Sequence, residues 1–322
     1  MLNAWPQAVI TVIRTAGKMK SPFRFQGIYA PLITPFEADG SINLTVLADL
    51  VEHLIARGVH GLISGGSTGE NYAQSVEERI RVAAFTQQQI AGRIPFVVGT
   101  GAMLTSESVA LAAAARDIGA DAILLASPPY AVPTDDENAQ NALTIADAAG
   151  LPVMLYNYPH RTGTMMGTAF LETVAVNPLF CGIKESSGDI NRLHLLASRF
   201  PTIQLGCGMD DQALEFFAWG ASFWVCGGAN FLPDEHIALY QACVVDVDFV
   251  KGRQIMAVLL PLMHMFEQGG KFVQTIKYGV ELGGFNAGRV RPPLGELGAD
   301  EAAALAKIVT GLKTDIRTII GA

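Results

Sequence analysis

Eight short apolar runs alternate along the chain with stretches of helical periodicity. The runs span 27–34, 60–64, 95–100, 121–126, 152–157, 180–184, 202–206 and 222–226, so strand starts recur every 20 to 35 residues. Apolar runs bounded by turn residues are typical of buried parallel strands, and the helices between them supply the crossovers. Eight consecutive units predict an α/β fold, a TIM (β/α)8 barrel. A doubly wound open sheet competes, but no GxGxxG sequence opens a unit, which favours closure.

The alternation stops after Asn230. Four helical segments follow, over 233–246, 250–267, 271–282 and 299–320. We therefore divide the chain into an N-terminal leader over 1–22, the barrel over 23–230 and a C-terminal helical domain over 231–322. The leader has no clear assignment. We expect it to be a loose, disordered arm, with an ordered helix packed on a neighbour as the alternative.

Composition narrows the class of protein. Half of the 322 residues are hydrophobic and 16% are charged, which suits a large core, and the formal net charge of −8 argues against nucleic-acid binding. No apolar run reaches the roughly 18 residues of a membrane span. The four cysteines have no close spacing that would indicate a disulfide framework or a zinc site, so we expect a cytoplasmic protein without a metal. They are Cys181, Cys207, Cys226 and Cys243.

The sixth apolar run ends in a lysine, Lys184, and a Ser/Gly/Asp turn follows it. A lysine at the end of a buried strand is unusual, because burial disfavours the charged ammonium. The free amine is the nucleophile that condenses with a carbonyl, so Lys184 is a candidate Schiff-base residue. The alternative is a solvated lysine, or one paired with Glu185.

Other strand ends carry groups that suit the same site, since the active sites of these barrels lie on the βα loops. Ser67 and Thr68 follow the second strand in a glycine-flanked loop whose backbone N–H groups can bind a carboxylate. Tyr130 follows the fourth strand and Tyr156 lies in the fifth, and both phenols can transfer protons. Arg161 comes just after the fifth strand and can hold a carboxylate with two hydrogen bonds.

Three motifs carry a resemblance to a known family over about residues 24–318. They are Gly66-Ser67-Thr68-Gly69-Glu70, Tyr156-Asn157 followed by Pro159, and Gly182-Ile183-Lys184-Glu185. The chain resembles the dihydrodipicolinate synthase / N-acetylneuraminate lyase family of Schiff-base-forming, pyruvate-dependent class I aldolases. Arg161-Thr162-Gly163 resembles the synthase branch, in which the arginine binds the carboxylate of the second substrate.

The resemblance implies a role for each site residue. Lys184 would form the imine with a 2-keto acid, and Tyr156 would transfer protons with Thr68 as its hydroxyl partner. Tyr130 would reach into a neighbouring subunit's site, which implies a homo-oligomer, either a dimer or a tetramer of dimers. The amides of Ser67 and Thr68 would bind the pyruvate carboxylate. No cofactor is implied.

The resemblance also places Cys226 beside the keto acid, although we favour a packing role because buried thiols mostly behave as small hydrophobes. The chain departs from the synthase pattern at Ser67, where a threonine is usual, and at His160, where a serine often precedes the arginine. The acidic turn after the seventh strand is present as Asp210-Asp211. These departures concern positions that face the second substrate.

Three functions follow. The first is a lyase or synthase that condenses the enamine of pyruvate with an aldehyde or an acidic co-substrate such as aspartate semialdehyde. The second is a 2-keto-3-deoxy sugar acid aldolase or dehydratase of the same family. The third is a non-catalytic keto-acid-binding barrel, which the retention of Lys184, Tyr156 and Thr68 disfavours. A phosphate-binding barrel is disfavoured too, because no P-loop lysine follows Gly65–Gly69.

Overall fold

The structure, a computed structural model, describes residues 23–321, so the predictions for the leader over 1–22 lie outside the described residues. Eight parallel strands form a closed barrel in sequence order, and β8 pairs with β1. The predicted TIM barrel is therefore confirmed. The strands are β1 Gly27–Pro31, β2 Gly61–Ser64, β3 Phe96–Gly99, β4 Ala122–Ala126, β5 Val153–Asn157, β6 Phe180–Glu185, β7 Gln204–Cys207 and β8 Phe223–Val225.

Helices connect the successive strands on the outside of the barrel. They are α1 Leu44–Ala56, α2 Val76–Ile90, α3 Thr105–Asp117, α4 Asp135–Ala149, α5 Thr168–Val174, α6 Ile190–Arg199 and α7 Ala213–Ala218. Two of them begin with a capping box. The side chain of Ser75 or Thr134 accepts a hydrogen bond from the backbone amide of the N3 glutamate, and the glutamate side chain accepts one from the backbone amide of the serine or threonine. These caps fix where α2 and α4 leave the loops after β2 and β4.

Alternate residues of each strand face two different cores. Met154 and Tyr156 belong to the cluster inside the barrel, whereas Val153 and Leu155 pack against the surrounding helices. The interior is filled partly by rings that occupy the space above glycines. A Cβ on Gly182 would lie 2.6 Å from the ring of Phe25. The interior of the barrel is thus a packed core, and its space for a ligand lies at the strand ends.

The first strand is shorter than predicted, because residues 32–34 leave the ladder to contact the loop after β2. The Leu32 amide still donates to the Ile63 carbonyl at 2.8 Å. The Thr34 hydroxyl instead donates to the carbonyl of Gly69 at 2.9 Å. This detour links the end of β1 to the loop that contains Ser67 and Thr68.

Helices follow β8 to the C-terminus, as the sequence predicts. They are α8 Pro233–Tyr240, which continues into one π-helical turn over Gln241–Val245, then α9 Phe249–Gln268, α10 Phe272–Leu282 and α11 Ala299–Ile320. Helix α9 packs on α8, α10 and α11, and α10 approaches the turn after β2. No helix among residues 23–321 is both long and apolar enough to span a membrane.

Candidate active site

Lys184 lies near the carboxyl end of β6 and is only 8% exposed. In the register of the two strands it stands opposite Tyr156 of β5, and its Nζ is 4.2 Å from the centre of the Tyr156 ring. On the other side, a Cβ on Gly208 would lie 2.7 Å from Lys184 Cγ. The glycine therefore lets the chain after β7 pass directly beside the lysine.

The alternative in which Lys184 pairs with Glu185 is wrong, because Glu185 has other partners. Its two carboxylate oxygens accept from Asn157 Nδ2 at 3.0 and 2.9 Å, and one accepts from the Ser187 amide at 2.7 Å. Arg192 is also buried, and its Nε lies 3.5 Å from Glu185 Oε2. The carboxylate holds β5, β6 and the following turn together and leaves Lys184 unpaired with it.

A row of three side chains leads from Lys184 to the wider cavity: Tyr156, Tyr158 and Arg161. The rings of Tyr156 and Tyr158 lie 5.7 Å apart, and Arg161 Cζ lies 5.4 Å from the centre of the Tyr158 ring. Arg161 is exposed, and its guanidinium forms no ion pair with any residue in the described part of the chain. It sits on the single helical turn Pro159–Thr162, where it is available to an anionic ligand.

The loop after β2 forms the opposite wall. Ser67–Gly69 is a 3₁₀ turn in which Thr68 is 3% exposed. The carbonyl of Gly69 accepts from Thr34 at 2.9 Å and from Gln74 Nε2 at 2.6 Å, and a Cβ on Gly69 would lie 2.8 Å from the Leu32 carbonyl. These contacts hold the turn firmly against the end of β1.

Glu70 anchors this loop to the C-terminal helices. It adopts the left-handed conformation, with φ 56° and ψ 40°, directly after the 3₁₀ turn. One carboxylate oxygen lies 2.7 Å from Lys277 Nζ, and the other accepts from the Arg291 amide at 2.8 Å. Lys277 also donates to the carbonyl of Arg289 at 2.9 Å. Burial lowers the pKa of Lys277, although the charge of Glu70 opposes this effect.

Two acidic side chains complete the narrow cavity around Lys184, and sequence reasoning missed one of them. Asp210 belongs to the acidic turn after β7 that the sequence predicts. Glu267 comes from α9, and its Oε1 accepts from the Asp210 amide at 3.1 Å. Tyr158 was also overlooked. No local pattern points to Glu267, because the helical spacing of α9 says only that the helix is amphipathic.

The narrow cavity opens into a wider one of about 700 Å³. The two share part of their lining: Ser67, Tyr156, Tyr158 and Arg161. Lys184 and Thr68 line only the narrow part, and Pro129, Tyr72 and Met103 line the wide part. Arg161 therefore lies where the narrow cavity around Lys184 meets the wider one, which has room for a second molecule.

Within the chain, neither Tyr130 nor Cys226 lines the cavities around Lys184. Tyr130 is 89% exposed, with φ 71°, in the loop after β4. Cys226 is fully buried in the cluster between strands and helices, and its neighbours Val225 and Gly227 line the cavity instead. Burial raises the pKa of the Cys226 thiol, as expected of a packing residue. Among residues 23–321 no group of three His, Cys, Asp or Glu side chains is placed to hold a metal.

The chain is similar to proteins of known family. The model of the dihydrodipicolinate synthetase family matches residues 24–312. A 4-hydroxy-tetrahydrodipicolinate synthase from Methanoculleus marisnigri is 33% identical over 293 residues, which cover 88% of this chain and 98% of that protein. Among solved structures, a putative dihydrodipicolinate synthetase from Pseudomonas aeruginosa has a TM-score of 0.85 at 34% identity, covering 90% of this chain and 100% of that one.

A second similar structure was solved with a ligand. A prophage protein of the dihydrodipicolinic acid synthase family from E. coli K12, solved in complex with pyruvate, has a TM-score of 0.84 at 30% identity. It covers 90% of this chain and 99% of its own. The family match spans nearly all of the described residues, including the strand ends around Lys184. This chain belongs to the dihydrodipicolinate synthetase family.

Proposed function

We propose that this chain is a Schiff-base lyase or synthase that acts on pyruvate or a related 2-keto acid. The observation that carries the proposal is the buried Lys184 at the end of β6, with the ring of Tyr156 4.2 Å from its Nζ and Thr68 in the same cavity. Pyruvate is the keto acid of choice, because the related E. coli and Acinetobacter baumannii proteins were solved in complex with it.

The proposed reaction begins with attack of the Lys184 amine on C2 of the keto acid. Loss of water gives a protonated imine, which is itself the electron sink, so no cofactor is needed. The backbone amides of Ser67 and Thr68 bind the carboxylate from the 3₁₀ turn. Removal of a proton from C3 then gives the enamine. We assign this transfer to the Tyr156 phenol, with the Thr68 hydroxyl as its partner.

The enamine adds to an aldehyde in the outer part of the site. Arg161 forms no ion pair with the described residues and lies at the junction of the two cavities, so it suits a carboxylate on that aldehyde. Aspartate semialdehyde has this chemistry, and relatives such as the Methanoculleus protein carry the name 4-hydroxy-tetrahydrodipicolinate synthase. We therefore favour the synthase reaction.

A second candidate is cleavage or dehydration of a 2-keto-3-deoxy sugar acid through the same imine. The outer cavity of about 700 Å³ favours it, because a four-carbon aldehyde would leave much of that volume empty. The two candidates share Lys184 and differ only in the second substrate.

The proposal includes an assembly and a location. Tyr130 is held outward after Pro128-Pro129, so we propose that it completes the site of a neighbouring subunit in a dimer, or in a tetramer built from dimers. All four cysteines are buried and none is joined in a disulfide among the described residues, which suits the reducing cytoplasm.

The test is a substrate comparison with Lys184→Ala as the control. Pyruvate consumption is measured with aspartate semialdehyde, and pyruvate release with a series of 2-keto-3-deoxy sugar acids. The synthase proposal predicts consumption that Lys184→Ala abolishes. Turnover of sugar acids alone would favour the second candidate, and no Lys184-dependent turnover of either kind would contradict the proposed function.

A further inference from the structure

Two carboxyl groups from distant parts of the chain meet beside Lys184. Asp210 follows β7 and is 2% exposed, and Glu267 lies in the last turn of α9. The amide of Asp210 donates to Glu267 Oε1 at 3.1 Å, so the two residues are in direct contact. Both line the narrow cavity together with Lys184. The Tyr156–Thr68 proton transfer described above makes no use of either.

The two oxygens of Asp210 have different surroundings. Oδ1 accepts a hydrogen bond from the indole Nε1 of Trp224 at 2.9 Å. Oδ2 is buried and has no hydrogen-bond partner among the described residues. A buried carboxylate oxygen without a donor is costly, whereas a protonated oxygen carries a hydrogen that it can offer to a ligand. Oδ2 is therefore the favoured position for a proton, in a residue that lines the cavity.

The charges around the pair come from several elements. Burial and the negative charge of Glu267 raise the pKa of Asp210 to about 8, against the Trp224 hydrogen bond, the charge of Lys184 and the backbone amide of Gly227. Burial also raises the pKa of Glu267. Two neighbouring carboxyl groups of this kind resist ionising together, and the more deeply buried Asp210 keeps its proton. The other titratable groups that face the pair are Tyr158, Arg161, Cys207, Asp211 and Cys226.

We propose that Asp210, held protonated beside Glu267, is the acid that protonates the hydroxyl group leaving C2 during imine formation. This inference rests on the proposed function. The Lys184 amine adds to C2 and gives a carbinolamine. Asp210 Oδ2–H then gives its proton to the C2 hydroxyl, the C2–O bond breaks and water leaves with the bonding electrons. The nitrogen lone pair forms the C=N⁺ bond.

The proton balance closes over one turnover. After imine formation Asp210 is a carboxylate and the imine nitrogen keeps its hydrogen. Hydrolysis of the product imine runs the same step in reverse, and water returns the proton to Asp210. Tyr156 transfers only the C3 proton. Asp210 and Tyr156 therefore act as acid or base from different walls of the cavity. Glu267 is a positioning residue here, because it acts through Asp210.

The test measures the rate of imine formation against pH. Full-length protein is mixed with pyruvate and quenched with borohydride at timed intervals, and the reduced adduct is quantified by intact mass. The wild-type rate is expected to fall as the pH rises through about 8, where Asp210 loses its proton. Asp210→Asn keeps the oxygen that accepts from Trp224. It should be about 100-fold slower below pH 8, without this alkaline limb.

Two further variants keep the test decisive if Asp210→Asn does not fold. Glu267→Gln removes the neighbouring charge, so the alkaline limb should move to lower pH. Glu281→Gln is the matched control, because burial also raises the pKa of Glu281 but it lies on α10 beside a different cavity. It should keep the wild-type limb.

The outcomes separate this inference from the proposed function. A wild-type protein that forms no adduct would contradict the proposed function itself. Suppose instead that the wild-type protein forms the adduct. The role of the pair alone would then be overturned if Asp210→Asn kept the wild-type rate and its alkaline fall, or if the alkaline fall stayed at the same pH in Glu267→Gln.

Discussion

Removing one partner of the Glu70–Lys277 pair should cost several kcal/mol of stability, because both charges are buried and the remaining one would be left unpaired. Their side chains are 0% and 4% exposed, and the Nζ–Oε1 distance is 2.7 Å. Glu70→Gln would remove the carboxylate charge that pairs with the buried Lys277 ammonium and leave it neutral partners such as the Arg289 carbonyl and the face of Phe36. Removing one partner of a buried pair costs about 3–5 kcal/mol, mostly because the remaining charge is left unpaired.

The assay is urea unfolding at a fixed protein concentration, with the free energy of unfolding extrapolated to water. The matched control is Glu52→Gln, which breaks the pair between Glu52 and Arg93. Those side chains are 51% and 41% exposed, so the loss should be about 0.2–1 kcal/mol. The double variant Glu70→Gln/Lys277→Met should recover most of the stability, because no buried charge is left.

The functional consequence concerns the substrate loop. Glu70 directly follows the Ser67–Gly69 turn, so its loss should also weaken pyruvate binding, which Glu52→Gln should not affect. The reasoning would be refuted if Glu70→Gln cost no more stability than Glu52→Gln, or if the double variant were as unstable as the single one.

Three other predictions follow from the same geometry. Arg161→Ala should leave pyruvate trapping intact and weaken binding of the second substrate about a hundredfold, and equal loss of trapping would mean a structural role instead. Mixing Lys184→Ala with Tyr130→Phe protein should restore up to about a quarter of wild-type activity if sites are shared, whereas no recovery despite verified subunit exchange would contradict sharing. Folding raises the pKa of Asp210 from its ordinary value to about 8, so the folded protein binds that proton more tightly. The free energy of unfolding should therefore fall as the pH rises from about 4 to 8, and urea titrations of Asp210→Asn should show a shallower fall.

The strand pattern was enough to predict the barrel and the place of Lys184. Parallel strands alternate their side chains and end at one rim, so Tyr156 at the end of β5 and Lys184 near the end of β6 had to be neighbours. The same reasoning placed Thr68 and Arg161 on that rim. It overextended β1, because the Thr34 hydroxyl binds the next loop and the chain leaves the ladder early.

The supporting contacts could not be predicted in this way. Glu267 meets Asp210 across 57 residues, and Arg291 meets Glu70 across 221. Both partners lie in or between the C-terminal helices, whose positions on the barrel depend on how whole helices pack. Helical periodicity identifies the buried face of α9 but not the loop that its last turn will touch. Long-range contacts of single polar side chains leave no trace in a local pattern.

The central claim is that Lys184 alone forms the imine, and peptide mapping after borohydride reduction tests it most directly. With pyruvate, the reduced adduct should appear on the peptide that contains Lys184, and Lys184→Ala should show none. Lys277 is the informative comparison, because it is also buried but is paired with Glu70, so it should stay unmodified. An adduct on Lys277 or Lys271, or no adduct with any 2-keto acid, would contradict the account.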